Sequence, residues 1–210
     1  MQWSLDETAL DLFARHAPRR FRTGVRFLDA PVPGGYRPRQ VVELCGPPGS
    51  SLAATLLAHV MAEFLLNDSS ARVFLFDHEC EIDSDRLVDV LAAKIQSKQI
   101  ADAVKSAEEQ ALEMVARVAV CHCRDTFQWL ATLNQVHFQL LNEAPAPLML
   151  VFNCVGSFCA MDKMTARDVG DGLALSEQIF VYLKQFIRHH SPIVFAAKEI
   201  RVLDNTNDAE

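Results

Sequence analysis

The sequence lacks any apolar stretch that could cross a membrane. Its longest candidate, "LAATLLAHVMAEFLL" (52–66), is interrupted by His59 and Glu63 and lies too deep in the chain for a secretory leader, so it reads as a buried helix. Residues 1–21, "MQWSLDETALDLFARHAPRRF", mix both charge signs and carry no targeting pattern. An excess of positive charge is missing too. Lys and Arg number 20 against 27 Asp and Glu, a net charge of −7, which argues against a broad basic surface for duplex DNA. Internal repeats and low-complexity segments are absent. So is paired C-x-x-C spacing. The cysteines at 45, 80, 121, 123, 154 and 159 sit mostly in or beside apolar runs, and they are expected to be reduced, buried small hydrophobes rather than metal ligands.

What remains is a chain of 210 residues, half of them hydrophobic, with a mean hydropathy of +0.08. That suits one large globular domain. Short β-branched or aromatic runs at 41–46, 72–77, 117–123, 147–155 and 192–199 alternate with helical patterns near 51–66, 84–98, 125–142 and 173–189. Near-continuous apolar strands between amphipathic helices are what a parallel sheet covered on both faces requires, so the expected fold class is α/β. The segment "MTARDVGDG" (164–172) is expected to be a polar loop.

The stretch "ELCGPPGSSLAAT" (43–55) has the rhythm of a phosphate-binding loop: a strand, a Gly-Pro-Pro-Gly turn and an apolar helix. The pattern G-x-x-x-x-G-K-[ST], laid from Gly46, demands Lys at Leu52 and Ser or Thr at Ala53. The backbone half of a cradle is present in Gly46, Pro47, Pro48, Gly49, Ser50 and Ser51, without the cation or the metal-binding hydroxyl. On its own the stretch is equally an ordinary strand–turn–helix.

Its surroundings resemble the core of the RecA/RadA-type recombinases. "RTGVRFLDAPVPGGYRPRQVVELCG" (22–46) carries Thr23, Gly24, Leu28, Asp29, Gly34, Gly35, Glu43 and Gly46 in that family's order. "FDHECEIDSDRL" (76–87) keeps Asp77, Glu79, Arg86 and Leu87. The resemblance runs from about residue 20 to 202. It is most similar to the short recombinase paralogues of X-ray-damage repair that lack an N-terminal helical domain. It implies a RecA-like P-loop core over 21–203, C-terminally truncated, with a helical extension at 1–20 and an acidic tail at 204–210. It also places Glu79 where the family activates the attacking water, and Asn153 where the family's fourth strand supplies a Mg²⁺-holding aspartate. "AAKE" (196–199) replaces the family's polar sensor.

With the loop lysine, loop hydroxyl and metal aspartate missing together, the resemblance implies a pseudo-ATPase with no resident cofactor or metal, in which Glu79 and Asn153 are vestigial. ATP and Mg²⁺ would bind only weakly or with a partner's help. The implied role is homologous-recombination repair in the nucleus. The chain would pair there with a paralogue whose ATPase site is intact and promote or remodel the main recombinase's filament on single-stranded DNA, which it would meet indirectly. Its rivals are an ATP-binding subunit completed in trans and a stand-alone single-stranded-DNA-binding module. Lys163 and Arg167, in the position of the family's first DNA loop, are the candidate DNA contacts. Arg19, Arg20, Arg22 and Arg26 form either a partner-docking surface or a solvated face. Arg188, His189 and His190 are expected to complement a helix C-terminus, and Trp129 to lie in the core.

Overall fold

A computed structural model describes residues 20–47, 49–98, 105–165 and 169–200. Five strands, β1 (Val41–Gly46), β2 (Arg72–Asp77), β3 (Val118–Cys121), β4 (Leu148–Asn153) and β5 (Ile193–Glu199), form one parallel sheet in the order β1-β5-β4-β2-β3. The helices are α1 (Arg26–Asp29), α2 (Leu52–Asn67), α3 (Ser84–Ser97), α4 (Ala107–Val115), α5 (Thr126–Leu141), α6 (Cys159–Thr165) and α7 (Val169–His190). No helix among the described residues is long and apolar enough to cross a membrane.

Strand alternation builds two apolar layers. Val73, Leu75, Met149, Val151, Ile193 and Phe195 face one cluster with α2 and α3. Phe74, Phe76, Leu150, Phe152 and Val194 face a second cluster with Trp129 and Leu133 of α5 and Phe186 of α7. Being covered on both faces is why β2 and β4 read as unbroken apolar runs. The expected α/β class, with helices on both faces of a parallel sheet, holds. Trp129 is buried, as expected.

Three expectations fail. The polar loop at 164–172 falls largely on helix: α6 runs to Thr165 and α7 begins at Val169. The glycines and aspartate of "VGDG" (169–172) hid a helical register that continues into an apolar stretch. α4 was not expected at all, although Ser106 and Glu109 form a capping box that the S-x-x-E spacing announces. And the cysteines are not uniformly buried: only Cys123 is, while Cys45 and Cys80 are exposed. Cys45 is exposed because alternate residues of β1 point outward from an edge strand.

Residues 20–40 lead into β1 as a module that its own hydrogen bonds close and that Phe21, Leu28 and Tyr36 anchor in the core. Asp29 accepts from the Thr23 amide (2.9 Å), the Thr23 hydroxyl (2.9 Å) and the Gly24 amide (3.0 Å), closing the turn before α1. Phe21 and Tyr36 pair as an antiparallel bridge, and the Tyr36 hydroxyl donates to the Leu28 carbonyl at 2.5 Å. Gly35, at φ +76°, passes so close to the Phe21 carbonyl that a Cβ there would sit 2.8 Å from it. The Thr-Gly, Leu-Asp and Gly-Gly pairs are therefore explained by local geometry.

Candidate functional site

Parallel strands present all their C-terminal ends at one edge of the sheet, and the loop after β1 sits there. Register pairs Gly46 with Glu199 and Asp77 with Asn153. β5 lies between β1 and β4, so the loop, "AAKE" and Asn153 converge on one cavity of about 130 Å³. Gly46, Pro47, Ser50, Glu79 and Asn153, all expected at the site, line it together with Glu81, Lys198 and Glu199.

In the loop half, the backbone amide of Gly49 donates to Glu199 Oε1 at 2.9 Å. Glu199 thus stands where an anionic phosphate oxygen would stand in a loaded cradle. Gly49 holds φ +71°, a conformation for which glycine is the natural choice. Ser51 occupies the N-cap of α2 without a side-chain cap bond. The Ser50 hydroxyl instead accepts from the Leu52 amide at 3.3 Å. Leu52, in the lysine position, is 62% exposed, so an apolar side chain stands at the mouth. One turn on, the Thr55 hydroxyl donates to the Ser51 carbonyl (2.8 Å) and receives Arg86 Nη2 (2.6 Å).

The opposite half is acidic. Asn153 and Asp77 are almost fully buried. Asn153 Nδ2 donates to Asp77 Oδ1 (3.0 Å) and to Glu81 Oε2 (3.1 Å). The amides of Glu81 (3.3 Å) and Ile82 (2.8 Å) also donate to the Asp77 carboxylate. An aspartate at 153 has no proton to offer at neutral pH and would meet two carboxylates head on. The amide suits the site because it donates. Glu79 is exposed and accepts from the Ser157 hydroxyl at 3.0 Å. Cys154 follows at φ +64°, a strained position for a side chain. Burial raises its thiol pKa, and Glu79 adds to the rise against a hydrogen bond with Ser157.

The remaining expected residues lie elsewhere. Arg20 Nη1 donates to the Gly34 carbonyl (3.2 Å) and Arg22 Nη2 to the Pro33 carbonyl (2.7 Å), so both brace the lead-in module. Arg26 is exposed on α1, and Lys163 lies in the last turn of α6. Arg19, Pro48, Arg167 and the segments 1–19 and 201–210 lie outside the described residues. Glu81 and Glu199 were missed in the sequence. Both lie inside stretches the sequence singled out, "FDHECEIDSDRL" and "AAKE", but neither was given a role, and only register brings Glu199 beside the loop. No protein-family model matches the chain.

Proposed function

We propose that this chain is a catalytically degenerate paralogue of the RecA/RadA-type recombinases, a pseudo-ATPase that acts through its surfaces. The observation that carries the reading is the Gly49–Glu199 bond: the chain supplies its own anion to the amide that a phosphate would use. Three further features support it. Leu52 and Ala53 offer neither cation nor metal-binding hydroxyl. The Asn153 amide is engaged with two carboxylates. A cavity of about 130 Å³ is well below the roughly 300–1,000 Å³ that holds a drug-sized ligand. The residues present do not fit a Mg²⁺–nucleotide, and no step is routed through one. Glu79, with no polarised phosphate before it, is structural and bonds Ser157.

The family assignment rests on the ordered motif series of residues 22–87 and on the parallel sheet that gathers the loop and strand ends. On this reading the chain works in nuclear homologous-recombination repair. It pairs with a paralogue whose ATP site is intact and assists the recombinase filament, with single-stranded DNA met through the partner.

Affinity capture of the tagged chain from its own cells tests this, with mass-spectrometric identification of what co-purifies near stoichiometry. A recombinase-family ATPase with an intact loop lysine is the expected result. A chain that purifies alone and hydrolyses ATP, with turnover abolished by Glu79→Gln, would overturn it.

A further inference from the structure

The far edge of the sheet carries a second cluster that the reading above does not use. Near the C-terminal end of α5, His137 meets His189 and His190, the last two residues of α7. One ring nitrogen from each of the three lies within 4.8 Å of the others. His137 Nδ1 and His190 Nε2 are 2.8 Å apart, a hydrogen bond in which one ring carries the proton and the other offers a lone pair. The rings are mutually edge-on, with centroids 4.7 to 5.2 Å apart. Their nitrogens can therefore converge on a point rather than stack.

We propose that His137, His189 and His190 form a binding site for a divalent first-row transition ion, Zn²⁺ in the first instance. Three imidazoles are a ligand set that Zn²⁺, Ni²⁺ and Cu²⁺ favour, and they leave a fourth tetrahedral position for water. Zn–N bonds of about 2.0–2.1 Å place ligand nitrogens roughly 3.3 Å apart, so closing on an ion requires only small rotations of rings already gathered.

Two features outside the cluster favour this. The end of α7 is held in place: Arg39 Nη2 donates to the Arg188 carbonyl (3.0 Å), Arg39 Nε to the Ser191 hydroxyl (2.9 Å), and the Ser191 amide to the Ile187 carbonyl (3.0 Å). The two consecutive histidines are thus fixed by a built cap rather than by a fraying end. The C-terminus of a long helix also favours positive charge, and a bound ion would add to that of Arg188 there. The ion would join α5 to α7 over the apolar layer that both helices cover.

The test uses the full chain without a histidine tag. Zn²⁺ is titrated against a chromophoric chelator, and Co²⁺ serves as a spectroscopic stand-in. The expected result is one ion per chain and a Co²⁺ spectrum without the thiolate charge-transfer band that cysteine ligation gives. Affinity should fall at least about tenfold in His137→Ala, in His189→Ala and in His190→Ala. Paired Cys121→Ser and Cys123→Ser changes should leave it unaltered. All three histidine positions are partly or fully exposed, so these variants should fold, and circular dichroism checks that they do. No ion bound by the wild-type chain, affinity unmoved by His137→Ala, or a thiolate band lost with the cysteines would each overturn the site.

Discussion

The lead-in module and the phosphate-type loop stand side by side in the chain, yet they hold their family-like residues for different reasons. In the module every such residue has a partner within it: Asp29 closes the Thr23–Gly24 turn, and Gly35 lets the backbone pass Phe21. In the loop the residues that persist shape the backbone, while Leu52 and Ala53 stand where the pattern asks for a cation and a hydroxyl, and Asn153 of β4 stands where it asks for a carboxylate. What geometry requires is present and what phosphate chemistry requires is not. On the proposed reading, this is the contrast between a scaffold that is kept and a catalytic site that is lost. It can be broken by showing that the module is dispensable or that the loop still answers to phosphate.

The largest effect should come from the module. Asp29→Ala removes three hydrogen bonds, leaves the Thr23 and Gly24 amides without their acceptor and leaves the fully buried Thr23 hydroxyl only the longer bond to the Val25 carbonyl (3.4 Å). At about 1 kcal/mol for each, the loss should reach roughly 2–4 kcal/mol, a fall in Tm of several degrees. Asp29→Asn should recover part of it, since an amide oxygen still accepts. Thermal unfolding of both variants is the measurement, and an Asp29→Ala chain as stable as wild type would mean that the module's pattern is not structural.

Next comes the joint between module and loop helix. Glu63, buried on α2, binds Lys94 and Lys98 of the following helix segment and lies against Gly24. Glu63→Gln leaves two lysines without their counter-charge and should cost about 2–3 kcal/mol. Burial alone would raise the Glu63 pKa, but Lys98 and Lys94 more than offset it and the net shift is downward. A carboxylate with a lowered folded pKa stabilises above its unfolded value of about 4.3, and that stability is lost as pH falls through the folded value. The gap between wild type and Glu63→Gln in denaturant midpoints should therefore be constant from about pH 7 to 5 and close below pH 4. A gap that widens on acidification would contradict the assignment.

A smaller effect should follow from placing an aspartate at position 153. Asn153→Asp places three carboxylates where two now share an amide. The expected cost near pH 7 is about 1–2 kcal/mol. Because crowding raises the folded pKa of one carboxyl, the penalty should shrink as pH falls toward 5, and millimolar Mg²⁺ should also relieve it. A variant as stable as wild type at pH 7 without Mg²⁺ would mean that the amide is not what holds Asp77 and Glu81 together.

The sequence made the sheet and its two layers legible, because a strand buried on both faces has to be apolar throughout, as "RVFLFD" and "LMLVFN" are. It also identified the loop, since Gly-Pro-Pro-Gly between strand and helix leaves few other conformations. The partners of Glu199 and His137 were not legible. Each acts on a residue far away in the chain, and only the strand order or the packing of α5 on α7 creates the encounter. The helix over 169–190 was read too short because glycine and aspartate at its start mimic a loop, while the apolar register behind them decides the conformation.

The smallest effect on stability should come from the most informative variant. Glu199 and Leu52 lie at the exposed mouth, so Glu199→Gln and Leu52→Lys should each change stability by no more than about 0.5 kcal/mol. Their effect on anions should be larger. Glu199→Gln removes the negative charge that faces the Gly49 amide and leaves a neutral oxygen an anion can displace, and Leu52→Lys supplies a cation one residue beyond the N-cap of α2, where the helix already favours negative charge. Inorganic pyrophosphate should then raise the Tm of the double variant, by binding the folded state alone, and leave wild type unmoved. If pyrophosphate stabilises wild type equally, Glu199 does not block the cradle. If it stabilises neither, the loop has lost its shape as well as its charge. Only a response confined to the double variant identifies a cradle that kept its geometry while the chain filled it from within.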